Sequence, residues 1–186
     1  EYIKKFGLSL PNALSIAKPA KHPETLLAHM VKFSATLQGH FSGAIGWDAI
    51  NMFFAPFFEH STDYEIHQIA QMLIFEYSQQ AVARGGQAIF SDINLYWETP
   101  DHYANTPAIG PGGQYTGKTY QDYQSIAQKF LLAILDVYKE GDGSNRPFMW
   151  PKVLIHITKK LFETPGHEQF LETVCELASL RGNPYF

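Results

Sequence analysis

Apolar residues recur every three to four positions in four stretches of the chain, which is the spacing of an amphipathic helix. The predicted helices run from about Pro23 to Gly39, from just after Thr62 to about Ala83, from Tyr120 to Tyr138 and from His167 to Arg181. Thr62 and Glu65 have the spacing of a capping box, and Gly141 and Gly182 stand where a glycine commonly ends a helix.

Two further stretches, Ile89 to Trp97 and Lys152 to Ile157, are typical of β-strands. One face of the first would carry Ile89, Ser91, Ile93, Leu95 and Trp97, and the other Phe90, Asp92, Asn94 and Tyr96. The second face is unusually polar for a buried strand, so its polar side chains are either exposed or line a polar cavity. Because helices alternate with strands late in the chain, we expect an α/β layer or barrel.

Three other regions lack a clear period. Residues 43–58 are apolar on all sides and predict a buried helix that is broken near Pro56. Residues 98–119 are rich in Pro, Gly and Asn and predict one long loop, and residues 140–151 predict a second loop.

The composition narrows the classes of function. A chain of 186 residues with 45% hydrophobic content is long enough for one sizeable core, so one domain is expected. A formal net charge of −4 argues against unspecific nucleic-acid binding, and no apolar run is long enough to span a membrane. The single cysteine, Cys175, excludes an internal disulfide and suits a reducing cytoplasm.

No metal site is expected, because the eight histidines show no paired ligand motif. Cys175 lies one helical turn from Leu171, which predicts a small buried residue. The chain begins at Glu1 and stops at Phe186 where an apolar strand could begin, so we expect a piece of a longer protein.

The junction between the second predicted helix and the first predicted strand combines Arg84, Gly85, Gly86, Gln87 and Ala88. One interpretation is a helix cap followed by a turn. The other is a ligand-contacting hinge, since glycines let the backbone change shape and the two planar polar side chains can contact a phosphate or a base edge. These residues alone leave both interpretations open.

Four motifs, in order, carry a resemblance to a known family: "GAIGWDAINMFFAPF", "QMLIFEYSQQAVARGGQAIFSDINLYWETP", "YKEGDGSNRPFMWPKVLIHI" and "ELASLRGNPYF". The chain closely resembles the catalytic subunit of the anaerobic, class III ribonucleoside-triphosphate reductases over essentially its whole length. The resemblance implies part of a ten-stranded α/β barrel of the glycyl-radical type. Residues 1–83 would then be mainly dimer-interface helices, and residues 84–186 barrel strands and helices of one partial domain.

The resemblance also implies an activity and its cofactors. The family replaces the ribose 2′-hydroxyl of ribonucleoside triphosphates by hydrogen through a thiyl radical, for DNA synthesis, under the control of ATP and deoxynucleotide effectors. The thiyl radical comes from a glycyl radical that an S-adenosylmethionine-dependent iron–sulfur activating enzyme installs. The family positions of the radical cysteine, its partner cysteine, the glycyl radical and a C-terminal zinc ribbon all lie outside this chain, and Cys175 matches none of them. No catalytic residue is therefore expected here.

By the same resemblance, Arg84 to Ala88 looks like the segment that links the allosteric specificity site to the substrate base. The residues that would face the substrate are Ser91, Asp92, Asn94, Asn145 and Arg146. Two alternatives stay open: a stand-alone nucleotide-binding or dimerisation module, and a glycyl-radical enzyme with another substrate. The second is disfavoured because "RGGQ" together with "SDIN" suits the nucleotide reductases.

Overall fold

A computed structural model describes residues 1–11, 13–80 and 88–186. Its helices are α1 (Tyr2–Phe6), α2 (Pro23–Leu37), α3 (Ile50–Phe54), α4 (Asp63–Gln79), α5 (Asp101–Ala104), α6 (Gln124–Glu140) and α7 (His167–Arg181). Its strands are β1 (Ile45–Trp47), β2 (Ser91–Leu95), β3 (Pro107–Ile109), β4 (Tyr115–Thr119) and β5 (Lys152–Ile155). Within these residues, no helix is both long enough and apolar enough to cross a membrane.

The central sheet is parallel and has the strand order β1-β2-β5. Ile45 is in register with Ser91, and Ile93 with Val153. Strands β3 and β4 form a separate antiparallel pair. Because β1, β2 and β5 run in one direction, their first residues lie at one edge of the sheet, the amino edge, and their last residues lie at the opposite carboxyl edge.

The sequence signals at the helix ends are confirmed. The side chain of Thr62 accepts a hydrogen bond from the Glu65 backbone N–H at 3.3 Å, and the Thr62 backbone N–H donates to the Glu65 carboxylate at 2.7 Å. Gly141 and Gly182 end α6 and α7 with φ of 79° and 71°, a region in which residues with a Cβ are strained.

Helices cover one face of the sheet. Ile93, Leu95 and Val153 on that face belong to the same apolar core as residues of α4, α6 and α7. The predicted stripe from Tyr120 to Tyr138 is confirmed, since Phe130, Leu131 and Ile134 are fully buried. We call this side of the sheet, which carries Ser91, Ile93, Leu95, Val153 and Ile155, the packed face.

Three sequence predictions need correction. Residues 45–47 form a strand rather than the start of a helix, because they pair with β2. The region predicted as one long loop contains α5 and the β3–β4 pair. Just beyond these strands, the backbone N–H of Tyr120 donates to the Thr106 carbonyl at 3.2 Å. Cys175 is exposed, because α7 buries Phe170, Val174 and Leu177 instead.

The described residues form an α/β layer, with a three-stranded parallel sheet and no closed barrel among them. The predicted end of the second long helix near Ala83 lies outside the described residues. In the described part, α4 ends at Gln79.

Candidate functional site

The side of the sheet opposite the packed face carries polar side chains. Asp92 and Asn94 are half-buried there, and the strand register places Gly46, Lys152 and Leu154 beside them. We call this side the open face. The two polar residues therefore lie on the side of β2 that the helices leave uncovered.

Ser91, the third candidate on β2, does not share this face. Its side chain is fully buried, and its hydroxyl donates to the Ile89 carbonyl at 3.3 Å. The alternation along the strand explains the placement, since Ser91, Ile93 and Leu95 all lie on the packed face.

Two candidate segments lead into the amino edge of the sheet. Arg84, Gly85, Gly86 and Gln87 lie outside the described residues, but Ala88 is described and is half-buried. Its carbonyl accepts a hydrogen bond at 3.0 Å from the side chain of Gln38, which immediately follows α2. The chain entering β2 is therefore tied to the end of α2.

The second segment is the loop before β5, which contains Asn145 and Arg146. Asn145 has φ of 59°, and its side-chain oxygen accepts a hydrogen bond at 2.7 Å from the guanidinium of Arg181. Arg146 is exposed, and its backbone N–H donates to the Asp142 carboxylate at 2.8 Å. Asn145 thus helps to hold the loop in shape, while the side chain of Arg146 extends into solvent.

The loop before β5 also lies against the end of α4. A cleft of about 260 Å³ separates them and is lined by Phe75, Ser78, Gln79, Asp142, Pro147, Phe148, Met149 and Trp150. The ring of Trp150 also contacts that of Phe90, just before β2, with a centroid separation of 5.0 Å. The end of α4, the loop before β5 and the residue that precedes β2 therefore meet at the amino edge.

A second polar cluster, not found from the sequence, lies at the carboxyl edge. Asp48 directly follows β1, Tyr96 follows β2 and His156 follows β5. The Tyr96 hydroxyl donates to one carboxylate oxygen of Asp48 at 3.0 Å, and the Tyr103 hydroxyl donates to the other at 2.9 Å. Three parallel strands therefore deliver a carboxylate, a phenol and an imidazole to one place.

His156 joins this cluster to the open face. Its ring stacks on Tyr96 with a centroid separation of 4.2 Å and an interplanar angle of 11°. Its Nε2 lies 2.8 Å from the side-chain oxygen of Asn94. Asn94 and Asp48 are thus connected through two hydrogen bonds and the stacked rings of His156 and Tyr96.

Burial raises the pKa of both phenols of this cluster. Burial, reinforced by the neighbouring Asp48 carboxylate, raises the pKa of Tyr96 well above its ordinary value. Burial and the hydrogen bond to Asp48 raise the pKa of Tyr103 to about 12. Both phenols keep their protons at neutral pH and donate to Asp48.

The feature that could have indicated this cluster is the position of its residues just past the carboxyl ends of parallel strands, where binding sites commonly form. No sequence spacing links Asp48, Tyr96 and His156, which are 48 and 60 residues apart along the chain. Within the described ranges, no three His, Cys, Asp or Glu side chains are placed to hold a metal ion.

The fold is that of an α/β protein with helices on one face of a parallel sheet. Its candidate site residues Asp92 and Asn94 lie on the other face. The family of anaerobic ribonucleoside-triphosphate reductases matches residues 1–186, and the chain belongs to that family. A search of curated proteins finds no match.

Solved structures of the anaerobic ribonucleotide reductase from Thermotoga maritima share this fold. The structure with dATP bound in the specificity site has 19% sequence identity and a TM-score of 0.69, and the match covers 95% of this chain and 30% of that chain. The complex with dATP and CTP gives 19% identity, a TM-score of 0.68 and the same coverage. The structure with glycerol in the active site gives 18% identity and a TM-score of 0.70, over 95% of this chain and 29% of that one. The chain therefore spans less than a third of the length of these reductases.

Proposed function

We propose that this chain is part of an anaerobic ribonucleoside-triphosphate reductase and that its role is to transmit the choice of substrate. The observation that carries this proposal is the meeting of three segments at the amino edge. The end of α4 and the loop before β5 line one cleft there, and Trp150 of that loop contacts Phe90, which lies just before β2. Gln38 ties the end of α2 to Ala88. A ligand bound beside α2 and α4 could thus move the segment that enters the sheet.

The sheet itself fits part of a larger barrel. Its helices cover one face, and the other carries the half-buried Asp92 and Asn94. In a ten-stranded barrel of the glycyl-radical type, such an open face would point inward, where the ribonucleotide is reduced. Asp92, Asn94 and the exposed Arg146 remain our substrate-facing candidates, whereas Ser91 would act through packing.

Helices α2 and α4 fit a dimer interface. A groove of about 180 Å³ runs between them and is lined by Glu24, Leu27, Ala28, Val31, Lys32, Met72, Glu76 and Gln80. Met72 is 40% exposed there and gives the groove an apolar side chain that a second surface can cover. We propose that a second copy of the chain packs on this groove and that a deoxynucleotide effector binds close to it.

The radical cofactor would be held elsewhere in the complete protein. The only cysteine, Cys175, is exposed on α7 and not on the open face, so this chain offers no thiol to the proposed cavity. The glycyl radical, its activating enzyme and a structural zinc would be supplied by other regions and partners of a cytoplasmic enzyme. The residues described here would bind and orient the nucleotide.

Two substitutions in the complete reductase test the role of Arg84 to Ala88. Replacing Gln87 by Ala removes a side chain that can hydrogen-bond a base edge, and Gly86→Val narrows the backbone conformations open to position 86. We expect both variants to change which ribonucleotide each effector favours by about tenfold, and Gly86→Val to do so more strongly. The yield of glycyl radical should stay unchanged.

The measurement is reduction of all four ribonucleoside triphosphates with each deoxynucleotide effector. Gln114→Ala is the matched control, because Gln114 is exposed in the β3–β4 turn, away from the amino edge. Preference patterns that are identical in wild type, both variants and the control would show that the segment is only a helix cap and turn.

A further inference from the structure

Lys152 is an exposed lysine on the open face. Its ammonium nitrogen lies 5.1 Å from the centre of the Trp150 ring and 5.7 Å from that of Tyr185, which pairs with β5 through Leu154. Within the described parts of the chain, no carboxylate lies within salt-bridge distance of it, although Asp92 is its register partner on β2. Lys152 therefore presents a positive charge without an anionic partner among those residues.

Comparison with Lys4 separates a structural lysine from one that is available to a ligand. Lys4 is 3% exposed, and its ammonium donates to the Phe53 carbonyl at 2.7 Å and to the Tyr120 hydroxyl at 2.8 Å. Lys152 also lies near aromatic rings, but it remains exposed, and no described residue accepts a hydrogen bond from it. Its three N–H donors are free for an oxygen-rich anion.

The position of Lys152 relates it to the amino edge. Trp150, which contacts it, also contacts Phe90 with a centroid separation of 5.0 Å and lines the cleft next to α4. Lys152 is the first residue of β5 and therefore lies at the amino edge, on the same face as Asp92 and Asn94. A nucleotide whose base lies at the amino edge would place its phosphates within reach of this ammonium group.

We propose that Lys152 binds the triphosphate of the ribonucleoside triphosphate substrate and that Trp150 and Tyr185 position its ammonium group. This inference rests on the proposed function. The rings hold the cation over the open face by cation–π attraction, so less side-chain freedom is lost when the anion binds. Lysine is a common ligand of phosphate, which it contacts as a compact point charge.

The test uses the complete, activated reductase with Lys152→Gln, Lys152→Arg and Lys159→Gln. The first variant removes the charge, and we expect KM for the ribonucleoside triphosphate to rise about tenfold to a hundredfold with a much smaller change in kcat. Lys152→Arg keeps the charge and should retain most of the affinity. Lys159 is an exposed lysine just beyond β5, so Lys159→Gln should leave KM unchanged.

A binding measurement separates this inference from the proposed function. Equilibrium dialysis should show that Lys152→Gln weakens binding of CTP but not of cytidine, which carries no phosphate. If wild type reduces ribonucleotides while Lys152→Gln keeps wild-type KM and triphosphate binding, the inference alone is wrong. If wild type shows no reduction, the proposed function is wrong, and the dialysis result still decides whether Lys152 binds phosphate.

A folding defect would show itself differently. Thermal melting of Lys152→Gln should match that of Lys159→Gln, because both side chains are exposed.

The variant Trp150→Leu tests the positioning role of the ring. It leaves the charge in place but removes one positioning ring, so KM should rise by less than in Lys152→Gln. Equal KM values for Trp150→Leu and wild type would contradict the positioning role of that ring.

Discussion

On one face of β2, the side chains of Ile93 and Leu95 are fully buried, whereas on the other face Asp92 and Asn94 keep part of their surface exposed. Burying an Ile or Leu side chain contributes about 1.5–3 kcal/mol each to the free energy of folding. A half-buried carboxylate or amide contributes little, because water remains a partner. The packed face therefore holds the fold together, and the open face is left free to bind a ligand.

The polar residues of the two faces are also satisfied differently. Ser91, on the packed face, donates to the Ile89 carbonyl two residues away, which is a purely local bond. Asn94, on the open face, reaches His156 just past the neighbouring strand and through it the cluster around Asp48. Along β2, the buried hydroxyl of Ser91 thus serves the backbone, while the side chain of Asn94 bonds to a side chain beyond the next strand.

The largest effect on stability is expected from the packed side. Leu131→Ala should lower the free energy of unfolding by about 2–5 kcal/mol, because Leu131 is fully buried in the core and its removal leaves a cavity. Urea denaturation of the variant measures this loss.

The neighbouring residue provides the control for that prediction. Leu132 is only partly buried on the same helix, so Leu132→Ala should cost clearly less. A Leu131→Ala protein with an unchanged denaturation midpoint would show that α6 does not press this side chain into the core.

A smaller loss is expected where the packed side meets the carboxyl edge. Asn51 on α3 is fully buried, donates to the Tyr96 carbonyl at 2.8 Å and accepts from the Tyr96 backbone N–H at 3.3 Å. Asn51→Ala would leave both backbone groups without their partner, at a cost of about 1–3 kcal/mol. Urea denaturation again gives the value.

Asn105→Ala is the matched control for Asn51→Ala, because Asn105 is exposed at the end of α5. It should change the free energy of unfolding by no more than about 0.5 kcal/mol. Equal losses in the two variants would mean that water or another group takes over the bonds of Asn51.

The long elements of the packed side could be predicted because their signals are local. The capping box at Thr62, the glycine at position 141 and the apolar stripe of α6 each lie within a few residues of the structure they specify. The strand at Ile45–Trp47 could not be distinguished from the helix that follows it, because three residues are too few to show an alternating pattern. This strand forms only through its pairing with β2. The β3–β4 pair was missed for a similar reason, since Gly and Pro in its turn are equally typical of a loop.

The site was predictable only in part. The alternation along β2 identified Asp92 and Asn94 as polar residues on one face, and the structure places them together there. The same alternation puts Ser91 on the other face, which the sequence also indicated. Asp48, Tyr96 and His156 carry no spacing signal, because three separate strands bring them together only when the sheet forms.

The smallest effect on stability is expected from Asn94→Ala, which tests the open face directly. The side chain of Asn94 is half-buried, so water can replace it as the partner of His156, and the free energy of unfolding should fall by less than about 1 kcal/mol. If the open face lines the substrate cavity as proposed, the same substitution in the complete reductase should lower kcat/KM for ribonucleoside triphosphates at least about tenfold, since one polar contact to the ligand or its neighbour is lost. Urea denaturation and steady-state reduction, measured beside Asn105→Ala, separate the two effects. A stability loss as large as that of Leu131→Ala would mean that the open face is packed as tightly as the other, whereas unchanged stability together with unchanged kcat/KM would remove Asn94 from the proposed site.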